Sequence, residues 1–237
     1  TPIQAIQEVA DKYKFKEGMS ETNRKYAAMV ESIDDCMRDM LAELKKHGID
    51  DNTLIIFTSD NGGLDRNGGP TENAPLRSGK GYCYEGGIRV PFLARWPAKI
   101  PAGKKTDFPV SSIDLFPTIM EATGTALPKD RPIDGLSLNS HFYSGGKKTP
   151  KRETLIWHFP HYRHAPGPYS MIRKGNFKLI KFWEGIYELY DLKNDLGEAN
   201  NLAERKPGLV KALDQELMAR LKADGAKLPK SNPEYKK

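Results

Sequence analysis

The chain has 237 residues, of which 38% are hydrophobic and 29% charged, and it carries a formal net charge of +6. This composition is typical of a soluble globular protein with one large or two small domains. It excludes a membrane-spanning helix, because no apolar run approaches ~20 residues, and two cysteines cannot form a disulfide framework. The basic excess favours anionic partners such as sulfated glycans, whereas no compact basic and aromatic motif indicates nucleic-acid binding.

Two helices are predicted ahead of the first strand. Residues 3–13 indicate a short helix and residues 21–47 a long one, because apolar side chains in the second segment recur at steps of three and four residues. Ser20 or Thr22 can cap the start of the long helix. Cys36 lies at one of its apolar positions, so we expect this cysteine in the core. The other apolar positions are Tyr26, Met29, Val30, Ile33, Met37, Met40, Leu41 and Leu44.

A short apolar strand comes next and ends in polar residues. Leu54–Phe57 is rich in β-branched and aromatic residues, which suits a strand buried on both faces, as in a parallel sheet. Asp60 and Asn61 follow it, and two glycines come directly after them. Open α/β sheets bind ligands at the carboxyl edge of their strands, and side-chain oxygens of this kind suit Ca²⁺ or Mg²⁺. The same residues also suit a simple turn, so the metal-site interpretation depends on the loop that follows.

A long glycine-rich loop, residues 62–87, follows this edge. Loops of this length inside a compact domain are usually functional or disordered. The loop holds Lys80 between two glycines, and Arg89 follows it. A metal edge followed by fixed cations suits an anionic ester, since both neutralise charge on a transferring group. Lys80 could instead be a solvated loop lysine. For Arg89 we favour a structural role, anchoring the loop by pairing with Glu85 or Asp60.

The rest of the chain predicts a second strand, a helix and then a change of pattern. Residues 90–96 indicate the strand, and residues 111–122 a helix opened by a Ser-x-x-Asp capping box. The Gly- and Lys-rich segment 145–150 predicts a domain boundary. Beyond it we predict four short strands, with a turn at 174–176 that favours a hairpin, and a terminal helix over 207–226. The strands are predicted at residues 154–158, 169–173, 177–182 and 187–190.

Three of the five histidines cluster in residues 157–164, beside aromatic residues and an arginine. His161 and His164 are three residues apart and could hold a metal, although no carboxylate or thiol lies nearby in sequence. The segment could also be a loop without a specific role. The third interpretation is a rim that faces the substrate, in which aromatic, histidine and arginine side chains contact a sugar.

Several short runs of the sequence match one family in combination. They are Ser59-Asp60-Asn61-Gly62, Pro75-Leu76-Arg77 with Gly79-Lys80-Gly81, Glu85-Gly86-Gly87-Ile88-Arg89-Val90-Pro91, Asp114–Thr118, Asp134–Leu138 and Glu188–Asp195. Together they resemble the second half of a type I sulfatase, the arylsulfatase family of the alkaline phosphatase-like superfamily. Ser78 departs from the pattern, because the family often has glycine there. The resemblance implies an incomplete α/β alkaline phosphatase-like sandwich over residues 1–149. It also implies an antiparallel subdomain with a terminal helix over residues 150–237.

The resemblance implies a cofactor, site residues and a substrate. Asp60 and Asn61 would hold one Ca²⁺ ion, and Lys80 would bind the sulfate and stabilise developing charge. His161 would be a further substrate contact. The substrate would be a sulfated glycan or an aryl sulfate, and the compartment secreted, periplasmic or lysosomal.

The resemblance also implies that part of the active site lies outside this sequence. The family's nucleophile is a formylglycine made within a Cys/Ser-x-Pro/Ala-x-Arg motif, and neither Cys36 nor Cys83 lies in such a motif. We therefore expect the C-terminal portion of a sulfuric ester hydrolase, which is inactive alone and could assemble with a separate N-terminal half.

Two other functions remain open at this point. A phosphate-ester hydrolase of the same superfamily would share the metal edge, but such enzymes usually bind two transition metals through further His and Asp ligands. No His-rich set of that kind follows Asp60. A non-catalytic chain that binds glycans or assembles with another chain is the second alternative, since half of a doubly wound sheet would expose an apolar edge and face.

Overall fold

The computed structural model describes residues 3–65, 69–163 and 167–230. Its helices are α1 (Gln7–Asp11), α2 (Glu21–Lys46), α3 (Glu85–Ile88), α4 (Leu115–Ala122), α5 (Asn139–Tyr143) and α6 (Pro207–Ala223). Its strands are β1 (Ile55–Thr58), β2 (Phe92–Arg95), β3 (Thr154–Phe159), β4 (Tyr169–Lys174), β5 (Phe177–Phe182) and β6 (Ile186–Asp191). The chain divides into two compact units, residues 1–58 with 91–152 and residues 59–90 with 153–237.

The first unit contains the long helix and the two-stranded sheet. Helix α2 begins after Ser20, whose Oγ atom accepts a hydrogen bond from the Asn23 amide at 3.1 Å, as the sequence predicts. Strands β1 and β2 pair antiparallel. A short 3₁₀ turn leads into α4, and the predicted capping box is present there, formed by Ser111 and Asp114.

Two expectations for the first unit are wrong. Strand β1 is not buried on both faces of a parallel sheet, because its partner among the described residues is the antiparallel β2, and Phe57 and Leu93 are exposed. Cys36 is exposed rather than in the core. Helix α2 packs against α1, and part of its apolar face is not covered by any residue that the structure describes. The exposed side chains of that face are Met29, Val30, Ile33 and Met40.

The second unit is a four-stranded antiparallel sheet with a different layer on each face. The strand order is β3-β4-β5-β6, and the turn at Gly175 joins β4 and β5 as the predicted hairpin. Because side chains alternate along a strand, each strand contributes to both layers. One face packs on α6 through Ile172, Leu179, Leu189, Leu213, Leu217 and Leu221. The other packs on the glycine-rich loop through Met171, Ile180, Phe182, Tyr190, Cys83 and Tyr84.

These elements confirm the predicted α/β class with a small antiparallel sheet and a terminal helix. The second segment of the second unit begins at Glu153, near the boundary predicted from sequence, and the glycine-rich loop packs in the same unit. The assignment of residues 1–149 and 150–237 to separate domains stays a prediction. No helix among the described residues is long and apolar enough to cross a membrane.

The two cysteines should differ sharply in reactivity. Burial raises the pKa of the Cys83 thiol to about 12, because the apolar layer disfavours the thiolate. At pH 8 only about one Cys83 thiol in 10⁴ is then ionised, and the thiolate is the form that reacts. We expect iodoacetamide to modify the exposed Cys36 and leave Cys83 intact in the folded chain, as read by peptide mass spectrometry. Rapid modification of both cysteines without denaturant would contradict the burial of Cys83.

Candidate active site

The polar edge after β1 presents its side chains on the surface of the second unit. Asp60 is exposed, and its carboxylate makes no hydrogen bond or ion pair with any residue in the described part of the chain. Asn61 is half-buried, and its Nδ2 atom donates to the Gly62 carbonyl at 3.1 Å, so this bond engages the amide nitrogen rather than the oxygen. The Ser59 hydroxyl donates to the Asn61 carbonyl at 2.9 Å. The edge therefore offers the Asp60 carboxylate and the Asn61 amide oxygen, for which the described residues supply no partner.

The glycine-rich loop folds back, so that the backbone of Lys80 lies beside the backbone that follows Asn61. The Lys80 amide donates to the Gly63 carbonyl at 2.9 Å, which ties the lysine to the residues that directly follow Asn61. A Cβ atom on Gly79 would lie 2.3 Å from that same carbonyl oxygen, so only glycine permits this approach. The Lys80 side chain is exposed, and it has no ion-pair partner among the described residues.

A side chain that the sequence analysis overlooked fastens this arrangement. The Asn73 amide nitrogen donates to the carbonyls of Gly63 and Ser78, both at 2.9 Å. One amide thus bridges the strand edge and the segment just before Lys80. No local pattern signals this role, because the three residues meet only after the loop has closed.

Ser78 occupies a backbone conformation that explains why the family often has glycine there. Its φ angle is +63°, in the left-handed region that non-glycine residues adopt at a steric cost. We expect Ser78→Gly to raise the free energy of unfolding by about 0.5–1 kcal/mol, since the steric relief exceeds the entropy that glycine adds to the unfolded chain.

The matched control for that substitution is Ser140→Gly, because Ser140 lies in α5. There the same change should lower stability by about 0.3–0.5 kcal/mol, because glycine is a weaker helix former than serine. Urea denaturation followed by circular dichroism measures both variants. A loss of stability in Ser78→Gly would contradict the strain at this position.

The two arginines near the loop make structural contacts. The Arg77 guanidinium stacks 3.7 Å from the Tyr84 ring centroid and donates to the Tyr190 hydroxyl at 2.8 Å and to the Glu198 carbonyl at 3.1 Å. Arg89 lies 3.8 Å from the Glu85 carboxylate, which is one of the two partners predicted from sequence. The contacts of both arginines therefore hold the loop, as the structural role predicted for Arg89 requires.

The histidine-rich segment is only partly described. His161 is exposed just after β3, and its ring lies edge-on to Phe159, which stacks in turn on Tyr169. This aromatic platform suits sugar stacking, and the substrate contact predicted for His161 stays a prediction. His164 lies outside the described residues, so the predicted pairing of the two histidines lies outside them too.

The comparisons with known proteins identify the family. A family model described as Sulfatase matches residues 1–125, and one described as N-sulphoglucosamine sulphohydrolase, C-terminal, matches residues 78–226. The chain belongs to the sulfatase family. This confirms the resemblance that the sequence motifs carry.

Individual relatives and solved structures agree with the family models. A protein of Formosa agariphila described as "Sulfatase" is 38% identical over 216 residues, which cover 83% of this chain and 38% of that protein. The crystal structure of Ps i-CgsB in complex with k-i-k-neocarrahexaose superposes with a TM-score of 0.79 at 30% identity, covering 93% of this chain and 47% of that one. A structure of BT4656 with D-glucosamine-2-N,6-O-disulfate gives a TM-score of 0.66 at 28% identity, covering 91% and 45%. This chain thus spans less than half the length of each of these relatives.

The residues present fit a Ca²⁺ site in kind but supply only part of one. The exposed Asp60 carboxylate and the Asn61 amide oxygen are hard oxygen ligands of the type that Ca²⁺ takes, and Ca²⁺ needs six to eight of them. Within the described ranges, no group of three or more His, Cys, Asp or Glu side chains could hold a metal ion. This sequence does not supply the formylglycine nucleophile, since neither cysteine lies in a formylglycine motif.

Proposed function

We propose that this sulfatase chain is part of an enzyme that hydrolyses sulfate esters of a carbohydrate. Asp60 and Asn61 hold Ca²⁺, and Lys80 binds the sulfate. The observation that supports this most directly is the hydrogen bond from the Lys80 amide to the Gly63 carbonyl, which ties the two motifs together. A sulfated carbohydrate is the substrate class because relatives act on or bind such sugars, including one solved with D-glucosamine-2-N,6-O-disulfate.

Each residue has a defined task in this proposal. Bound Ca²⁺ would supply a fixed positive charge against the sulfate oxygens. The Lys80 ammonium binds the same anion and neutralises the negative charge that develops as the ester bond breaks. His161, on its aromatic platform, contacts the sugar. A secreted, periplasmic or lysosomal compartment belongs to the same proposal.

The 237-residue chain alone should not turn over an aryl sulfate. The residues that bind the anion are present, but no formylglycine motif is present to supply the nucleophile. Incubation with 4-nitrophenyl sulfate and Ca²⁺ should release no 4-nitrophenolate above the rate in buffer. Metal-dependent turnover by this chain would contradict the assignment of the nucleophile to another part of the enzyme.

The metal assignment is tested by titrating the ¹⁵N-labelled chain with Ca²⁺ and following the amide signals of Gly62 and Gly63. With two side-chain ligands, we expect weak saturable binding with a dissociation constant of roughly 10⁻⁴–10⁻³ M. Asp60→Ala should abolish the shifts. Asp107→Ala, which removes an exposed aspartate elsewhere, should leave them unchanged. Equal shifts in wild type and Asp60→Ala would overturn the assignment.

A further inference from the structure

A buried cluster of three charged side chains lies between the sheet and the glycine-rich loop. Lys178, on β5, places its Nζ atom 3.0 Å from Glu85 and 2.8 Å from Glu198. The exposed fractions of Lys178, Glu198 and Glu85 are 0%, 0% and 2%. Lysine and glutamate are almost never fully buried unless they are paired, so the cluster is a specific feature of this fold.

Glu198 makes a second contact that reaches the backbone of the loop. Its Oε2 atom accepts a hydrogen bond from the Glu85 amide at 2.6 Å, at the first residue of α3. The backbone of Glu198 itself has φ +52°, a conformation that costs energy for a residue with a side chain. A strained, fully buried glutamate that accepts hydrogen bonds from both the Lys178 ammonium and the Glu85 amide holds α3 in one position.

Helix α3 is the element on which both ends of the candidate site rest. The Gly62 amide, directly after Asn61, donates to the Gly87 carbonyl at 2.9 Å, and the Gly86 amide donates to the Arg77 carbonyl at 2.9 Å. A Cβ atom on Gly62 would lie 1.7 Å from the Gly86 carbonyl oxygen, so this contact has no spare room. A small displacement of α3 would therefore move the metal edge and the segment that leads to Lys80.

A gain in stability is not a sufficient reason for burying these three charges. Replacing a buried ion cluster with apolar side chains of similar size is often neutral or stabilising, because removing charges from water is unfavourable. Apolar contacts are not directional, however, and would allow α3 to slide. The two carboxylates on Lys178 fix α3 against β5 in one position.

From this geometry we infer that Lys178 and Glu198 are positioning residues, which fix α3 and through it the loop that carries Asp60, Asn61 and Lys80. The inference that they order the loop stands on the contacts alone. Its consequence for sulfate and Ca²⁺ rests on the proposed function.

The test is amide hydrogen exchange of this chain in wild-type and Lys178→Met forms. The reporters are the Gly62, Lys80 and Gly86 amides, whose hydrogen-bond acceptors lie within the loop and α3. We expect these three to exchange about 100-fold faster in the variant, while amides of the β4–β5 pair keep their wild-type rates, because local opening is cheaper than global unfolding. The matched control is Lys174→Met, which removes a lysine of the same sheet from an exposed pair with Glu216 and should change none of these rates.

Two results would overturn the inference. One is an unchanged exchange rate of the loop amides in Lys178→Met, and the other is an equal acceleration of loop and sheet amides, which would mean general destabilisation. If Lys178→Met does not fold, Glu198→Gln, which keeps the shape of the side chain, is judged by the same two criteria. The Ca²⁺ titration separates the two proposals. Absence of Ca²⁺ binding in the wild-type chain would contradict the proposed function, while the exchange data would still decide the positioning role.

Discussion

In the longer sulfatase that we propose contains this chain, Lys80→Met should lower kcat/KM for a sulfate ester by about 10²–10³-fold. Removing one preplaced charge that stabilises a developing anion typically has an effect of this size. The Lys80 ammonium is exposed and unpaired among the described residues, so the substitution breaks no internal contact and should leave the free energy of unfolding unchanged. The measurement is steady-state hydrolysis together with urea unfolding of the same variant.

Two further variants make this prediction specific. Lys80→Arg keeps the positive charge and should recover part of the activity. Lys105→Met removes an exposed lysine elsewhere in the chain and should leave kcat/KM at the wild-type value. If Lys80→Met and Lys105→Met behave alike, Lys80 is an ordinary surface lysine.

The second large effect is on stability, in Arg152→Met. Arg152 pairs with the Asp114 carboxylate, and the exposed side-chain fractions of the two are 6% and 0%. The Asp114 oxygens also accept the Ser111 amide at 2.8 Å and the Leu136 amide at 2.9 Å. Loss of the guanidinium leaves a buried carboxylate without its counter-charge, so we expect the free energy of unfolding to fall by about 3–5 kcal/mol.

Urea unfolding of the whole chain, with the transition of the first unit followed, measures this loss. Arg131→Met is the matched control, because Arg131 pairs with Asp130 at the surface, where both side chains are 67% exposed, and exposed pairs contribute little. A loss below about 1 kcal/mol in Arg152→Met would show that the two backbone amides alone satisfy Asp114.

Local chemistry explains which elements the sequence predicted well. The hairpin between β4 and β5 follows from alternating apolar residues on both sides of a turn at Gly175, whose φ is +58°. The terminal helix follows from leucines spaced four apart, and the capping box before α4 from two residues three positions apart. In each case the determining residues lie within one turn or one strand of each other.

The elements that sequence analysis missed depend on distant partners. Helix α3 contains two glycines in four residues, which disfavour a helix. It is held because the Glu85 amide donates a hydrogen bond to the Glu198 carboxylate, 113 positions away. Lys178 looked like an ordinary strand lysine, since its partner Glu85 lies 93 positions earlier. A signal did exist, because Lys178 shares a strand face with the buried Ile180 and Phe182.

The candidate site divides in the same way. The candidate ligands Asp60 and Asn61 and the candidate sulfate-binding Lys80 could be chosen from sequence because they lie in short motifs beside glycines. The contacts that set their spacing, from Asn73, Gly62 and the buried charge cluster, arise only when the loop closes on the sheet. An exposed apolar face was expected for half of a doubly wound sheet, but the pattern did not show that this face would include β1 and part of α2, because an apolar pattern shows that a face can be covered and not what covers it.

In the proposed enzyme, Lys80 and the Asp60–Asn61 edge act on one anion. A crystal structure of this chain grown with Ca²⁺ and soaked with a sulfated glucosamine measures this directly. We predict one sulfate group that contacts the Lys80 Nζ atom and a Ca²⁺ ion bound by the oxygens of Asp60 and Asn61. A well-ordered structure in which the Lys80 ammonium and the Asp60 carboxylate face separate surfaces, with the sulfate at neither, would contradict it.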